Sequence, residues 1–126
     1  MKPPVPKERS VQRAILAMCG TCFPNVFIHH SAVVKLSGTP EQRAIQMRVL
    51  KADGFKPGFA DLLCLWSGGG ALLEVKRLKG GVVSDAQKAL HERLSAIGWP
   101  VSIVRSQDEA HAALSAAGAP CVGRMT

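Results

Sequence analysis

Residues 58–76 read GFADLLCLWSGGGALLEVK. Two apolar runs, 59–66 and 71–77, flank Ser67-Gly68-Gly69-Gly70, which predicts two short strands joined by a glycine loop. Asp61, Glu74 and Lys76 interrupt those runs, and charged groups enter a burial-seeking strand only at a cost. With 67–70 as the whole loop, Trp66 stands opposite Ala71, Leu63 opposite Glu74 and Asp61 opposite Lys76. Side chains alternate along a strand, so Asp61, Leu63, Glu74 and Lys76 share one face. The two acids become diagonal neighbours, about 7–8 Å apart at the backbone. That is a seat for a divalent cation with an ammonium beside it. A slip of one residue would send the acids to opposite faces.

The elements around the hairpin are legible too. Residues 7–19 predict a helix with Val11, Ala14, Ile15 and Met18 inward, and Gly20 suits its C-terminal cap. Residues 25–30 and 32–36 predict strands. Thr39-Pro40-Glu41-Gln42 opens a helix to about Asp53, with Ile45, Val49 and Ala52 inward. Arg43, Arg48 and Lys51 are left outside, and with Lys35 and Lys56 they form a candidate phosphate-backbone track. Arg77-Leu78-Lys79-Gly80-Gly81 is a basic loop at the mouth of the carboxylate pair, with Arg77 and Lys79 as further candidate DNA contacts. Ser84 and Gln87 make a capping box, and Ala86, Leu90, Leu94 and Ile97 the core stripe of the next helix. Gln87 and His91 are i, i+4 neighbours on it. Residues 100–105 predict a strand, and Ser106 with Glu109 caps a last helix whose inward face is Ala110, Ala113, Leu114 and Ala117. The order predicts one α/β domain over 1–126, a mixed β-sheet flanked by helices, with a flexible lead at 1–6 and a tail at 119–126.

The sequence resembles the virus-type replication-repair nuclease (VRR-NUC) domain of the PD-(D/E)XK superfamily. The resemblance is carried by Lys56-Pro57-Gly58-Phe59-Ala60-Asp61, Leu73-Glu74-Val75-Lys76, Gly80 to Ser84 followed by Gln87–His91, and Gly98-Trp99-Pro100-Val101. It covers about residues 48–114, with a weaker extension to Glu8. The family usually has proline before the aspartate, where this chain has Ala60. The resemblance implies a restriction-endonuclease-like core and hydrolysis of DNA phosphodiester bonds with Mg²⁺ or Mn²⁺. It implies Asp61, Glu74 and the Val75 carbonyl as metal ligands and Lys76 as the residue that orients or deprotonates the attacking water or holds the phosphate. It also gives Gln87 and Glu8 active-site roles. For each a structural explanation competes: Gln87 as a helix cap, Glu8 as a first-turn acid favoured by the helix dipole. His91 would join Gln87 on the same face. Stand-alone members act as homodimers on branched DNA such as Holliday junctions and are typical of phages or prophages, which implies a bacterial or phage protein of the cytoplasm. The alternatives are a monomeric flap or nicking enzyme, and a non-catalytic nucleic-acid-binding module.

Composition agrees with a polyanionic partner. The 126 residues carry a formal charge of +7 and a pI near 9.7. With no Tyr, four Phe and two Trp, base stacking is not expected to dominate. No apolar run reaches the roughly 18–20 residues of a membrane span. Cys19-Gly20-Thr21-Cys22 closes a helix instead of opening one after a strand, which disfavours a redox motif. Zinc would need His29 and His30 as well, and the spacing matches no common zinc pattern.

Overall fold

The structure is a computed structural model that describes residues 7–31 and 35–122. The lead at 1–6, most of the strand expected at 32–36 and the end of the tail at 123–126 lie outside the described residues. The element order is α1 (Glu8–Cys22), β1 (Phe27–His30), α2 (Pro40–Ala52), β2 (Leu62–Trp66), β3 (Gly69–Val75), α3 (Asp85–Ala96), β4 (Val101–Val104) and α4 (Gln107–Ala116). The four strands form one sheet in the order β1-β2-β3-β4. Its first two pairings are antiparallel and β3–β4 is parallel, with α3 as the crossover that parallel strands require.

The hairpin forms, with a tighter turn than expected. Trp66 pairs with Gly69, so Ser67 and Gly68 alone make the loop. Two-residue loops fit the twist of paired strands best, and Gly68 supplies a φ of +85°. Gly69 and Gly70 belong to the strand because rings lie against them. A Cβ on Gly69 would stand 2.7 Å from Trp66 Nε1, and one on Gly70 would stand 3.0 Å from both Leu65 and Trp99. Leu62 pairs with Leu73, which shifts the register by two residues and extends to Asp61 opposite Glu74, not Lys76. A two-residue shift preserves the side-chain face. Asp61, Glu74 and Lys76 therefore still share one face.

The opposite face is the core. Leu62, Cys64, Ala71, Leu73, Val75 and Val104 meet Val11, Ile15 and Met18 of α1 and Ala110 and Leu114 of α4. Each large aliphatic side chain removed from water there contributes about 1.5–3 kcal/mol. Helix α1 runs on through Gly20, and Phe23 caps it by donating its N–H to Cys19 O. Gly20 does not end the helix because the next turn has more to bury: Cys22 and Phe23 are both in the core. The Cys19-x-x-Cys22 thiols thus sit in the last turn, and burial pushes Cys19 up to about 11 and Cys64 up to about 12.

Helices α2 and α3 are less well covered. Helix α2 buries none of its residues, and Ile45 and Val49, expected inward, are 52% and 56% exposed. Local bonds hold it instead. Thr39 and Gln42 form the expected capping box, and the Gln46 side chain bonds both the N–H and the carbonyl of Ser37. In α3, Leu90 and Leu94 are half-buried, whereas Ala86 is exposed and Ile97, just past its end, is 72% exposed. Ser106 caps α4 by accepting from Glu109 N–H, but the Glu109 carboxylate takes the N–H of Arg105 at 3.1 Å and not that of Ser106.

Gly58 ties the approach of β2 to the start of α3. Its φ is +83°, and a Cβ there would lie 2.6 Å from the carbonyl carbon and oxygen of Ala86. Strain and backbone clash should make Gly58→Ala destabilising by at least about 1–3 kcal/mol. Urea unfolding measures this, and a variant as stable as the wild type would contradict the packing.

Candidate active site

The site begins where β2 stops short of its partner. Along β3, Leu72 and Lys76 donate their N–H groups to Pro100 O and Val104 O on the β4 side, at 2.9 and 3.0 Å. Backbone groups of Val75 therefore point toward β2. No β2 residue pairs with Val75, since the strand begins at Leu62. The Asp61 side chain takes that place, its Oδ2 accepting the Val75 N–H at 2.8 Å. The Asp61 carbonyl in turn accepts from Ser31 N–H at 2.8 Å. The aspartate is thus held at both ends, beside the Val75 carbonyl and across from Glu74.

Glu74 is 1% exposed. Its Oε1 accepts from Gln87 Nε2 at 2.6 Å and lies 3.5 Å from Lys76 Nζ. Its Oε2 faces His91 Nε2 at 3.8 Å, and neither of these two buried atoms has a hydrogen-bond partner. Burial first, and then the charge of Asp61, push the Glu74 carboxyl up to about 7, against the opposing pull of Lys76. Burial and the Lys76 charge push His91 down, against Asp61. Gln87 makes the helix cap and also reaches Glu74. Its Oε1 accepts the Ser84 N–H of the capping box at 2.9 Å while its Nε2 holds Glu74.

Glu8 enters from α1. It lines a cleft of about 510 Å³ with Arg9, Gln12, Arg13, Leu16, His30, Asp61 and Val75. The structure thus brings Asp61, Glu74, Lys76, Gln87 and His91 into one cluster and opens Glu8 onto its Asp61–Val75 side. The expected basic track is not part of this cleft. Lys35, Arg43, Arg48, Lys51, Lys56, Arg77 and Lys79 are all exposed. Arg105, which the sequence did not single out, shapes the 77–81 loop: its guanidinium donates to Arg77 O at 2.7 Å and Gly81 O at 3.0 Å. Gln12 carries no motif of its own, although it stands four residues after Glu8 on the same helical stripe, and that spacing is the signal that could have found it.

The donor set suits a hard divalent cation. Two facing carboxylates raise each other's energy when ionised, Glu74 keeps one buried oxygen unpartnered, and the Val75 carbonyl leaves on the same side. No group of three or more His, Cys, Asp or Glu among the described residues is arranged to hold a metal. Mg²⁺ is commonly held by one or two carboxylates, with water and substrate phosphate completing its shell, so a pair is sufficient.

Among solved structures, one titled "VRR_NUC domain protein" superposes with a TM-score of 0.65. The chain has the VRR-NUC fold. The match spans 94% of this chain and 91% of that one, at 19% sequence identity. No protein-family model and no curated protein matches. The VRR-NUC superposition agrees with the mixed sheet and its flanking helices. No helix among the described residues is long and apolar enough to cross a membrane.

Glu74 gives the site a pH signature. Its carboxyl is raised from 4.5 to about 7 on folding, so the folded chain keeps a proton that the unfolded chain has lost in that window. Stability from this group is complete below the unfolded value and lost as pH rises through the folded one. Metal-free Glu74→Gln should lack that decline. Denaturant midpoints across the window test this, and equal slopes in both proteins would contradict it.

Proposed function

We infer that the protein is a divalent-metal-dependent endonuclease that hydrolyses phosphodiester bonds in branched DNA. The observation that carries this reading is the Asp61 carboxylate fixed on Val75 N–H directly across from buried Glu74, with Lys76 beside them, on a VRR-NUC fold.

Asp61, Glu74 and the Val75 carbonyl would hold Mg²⁺ or Mn²⁺. When bound, the cation supplies an acidified water and offsets the charge that develops on the phosphate. Gln87 Nε2 donates to Glu74 Oε1 and fixes the carboxylate, which sets where its other oxygen points. Lys76, with its ammonium 3.5 Å from Glu74, orients the attacking water and steadies the phosphate oxygen. Glu8 adds an acid on the cleft side, and Gln12 a neutral donor beside it. His91 closes the cluster behind Glu74. The exposed cations Lys35, Arg43, Arg48, Lys51, Lys56, Arg77 and Lys79 contact the backbone away from the cut, which suits recognition by shape in place of base edges.

The most specific form of the reading is a homodimer that resolves Holliday junctions. Its support is the apolar stripe of α2: Ile45 and Val49 are exposed beside each other on a helix that buries nothing. A second copy of this chain would cover that stripe, and a two-fold pair presents two sites to two strands.

Purified protein should cut DNA with Mg²⁺ or Mn²⁺ and not with EDTA. Asp61→Ala and Glu74→Ala should each lower turnover by about 10²–10³-fold or more, the scale of losing a charge-stabilising group. Variants that cut as well as wild type would overturn the assignment. A mobile four-way junction should be cut faster than a 5′ flap or linear duplex at one fixed salt concentration. Equal rates on junction and duplex would remove the resolvase reading. A monomer in light scattering at assay concentration would leave the flap or nicking enzyme.

A further inference from the structure

The cleft beside Asp61 contains a pair of cations that the metal chemistry does not use. Arg9 and Arg13 line it together with His30 of β1. The two arginines are i, i+4 neighbours on α1, about 5–6 Å apart at Cβ, so their charges repel along the helix. Arg9 also lies in its first turn, where the helix dipole disfavours cations. Neither has an ion-pair or hydrogen-bond partner among the described residues, although Glu8 and Asp61 line the same cleft. The chain therefore holds two guanidinium groups at an electrostatic disadvantage, facing a concavity of about 510 Å³ that opens onto the metal-seat residues.

We propose that Arg9 and Arg13 form a clamp for a backbone phosphate of the strand being cut, next to the phosphate at the Asp61–Val75 seat. The proposal rests on the nuclease reading for the identity of that strand. The charges decide the ligand's sign. Glu8 and Asp61 balance the two arginines in formal charge, and a divalent cation at Asp61 leaves the cleft net positive. A phosphodiester is singly charged and offers paired oxygens to a planar guanidinium, which binds it through two parallel N–H bonds. A concavity of about 510 Å³ has room for one phosphodiester unit beside the two guanidinium groups. That phosphate sits in the cleft while the exposed cations elsewhere follow the remaining backbone. His30, lining the same cleft, can serve as a further donor.

Binding of a labelled duplex and a labelled single strand, measured by fluorescence anisotropy with Ca²⁺ present, tests the clamp without requiring cleavage. Each of Arg9→Ala and Arg13→Ala should weaken binding by roughly tenfold, as expected for a charged hydrogen-bonding group. The slope of log K against log salt should become shallower by about 0.7–0.9 for each phosphate that is no longer neutralised. Arg93→Ala, which removes the same charge from the far end of α3, should leave the slope unchanged. Arg9→Lys and Arg13→Lys should keep the slope and recover part of the affinity. Thermal melting of the variants should equal or slightly exceed that of the wild type, because both arginines are exposed and repel each other. An unchanged slope and affinity in the Arg9→Ala/Arg13→Ala double variant would overturn the clamp, as would a loss equalled by Arg93→Ala. So would a wild type that binds no DNA. A wild type that binds DNA through the clamp yet never cuts it would retain this inference and remove the nuclease reading instead.

Discussion

A single hydrogen bond fixes the geometry on which the rest depends. The Val75 N–H faces a place in the sheet where β2 has not yet begun, and the Asp61 carboxylate fills it at 2.8 Å. An unpaired backbone donor there would be destabilising, so the aspartate serves the sheet as it serves the site. The same bond places an acid directly across from Glu74 and beside the Val75 carbonyl. Removing Asp61 would therefore disturb both the sheet edge and the proposed seat for a cation, and its variants need folding measured alongside function.

The second constraint is electrostatic. Glu74 lies buried opposite another acid, which favours its protonated form. Lys76 and Gln87 support its charged form through Oε1, yet its other oxygen and His91 Nε2 remain unpartnered. A buried polar cluster that the chain alone satisfies only in part is unfavourable for folding. In the proposed function a bound cation would offset that cost. The fold tolerates this because the α1–α4 side of the sheet carries the continuous apolar core, while Glu74 meets Gln87 and His91 of α3 on the other face.

The hairpin and its shared face are legible in the sequence because alternation depends only on parity. Four loop-forming residues stand at 67–70 and the turn uses two, but the resulting shift of two leaves Asp61, Glu74 and Lys76 together. What the other glycines do is not legible: Gly69 and Gly70 seat Trp66 and Trp99, a tertiary fact with no local signal. Helical periodicity identifies α2 and α3 but not whether anything covers their apolar stripes, hence the misplaced Ile45, Val49 and Ile97. The capping-box pattern gives the backbone role of Gln87, and its bond to Glu74 needs the crossover from β3 to α3. Arg9 and Arg13 of α1 and His30 of β1 are far in sequence from Asp61 and Val75, and only the tertiary fold joins them in one cleft.

The central claim is that Asp61 and Glu74 together seat a divalent cation. Titration calorimetry with Mn²⁺, in two buffers of different ionisation enthalpy, tests it most directly. A cation that binds the ionised carboxylate must displace the proton that Glu74 holds up to about pH 7. The account predicts one site per chain, proton release at pH 6 that fades well above pH 7, and loss of binding in Asp61→Asn. Proton release should disappear in Glu74→Gln. Binding that is absent in the wild type, or that survives both substitutions with its proton release unchanged, would contradict it.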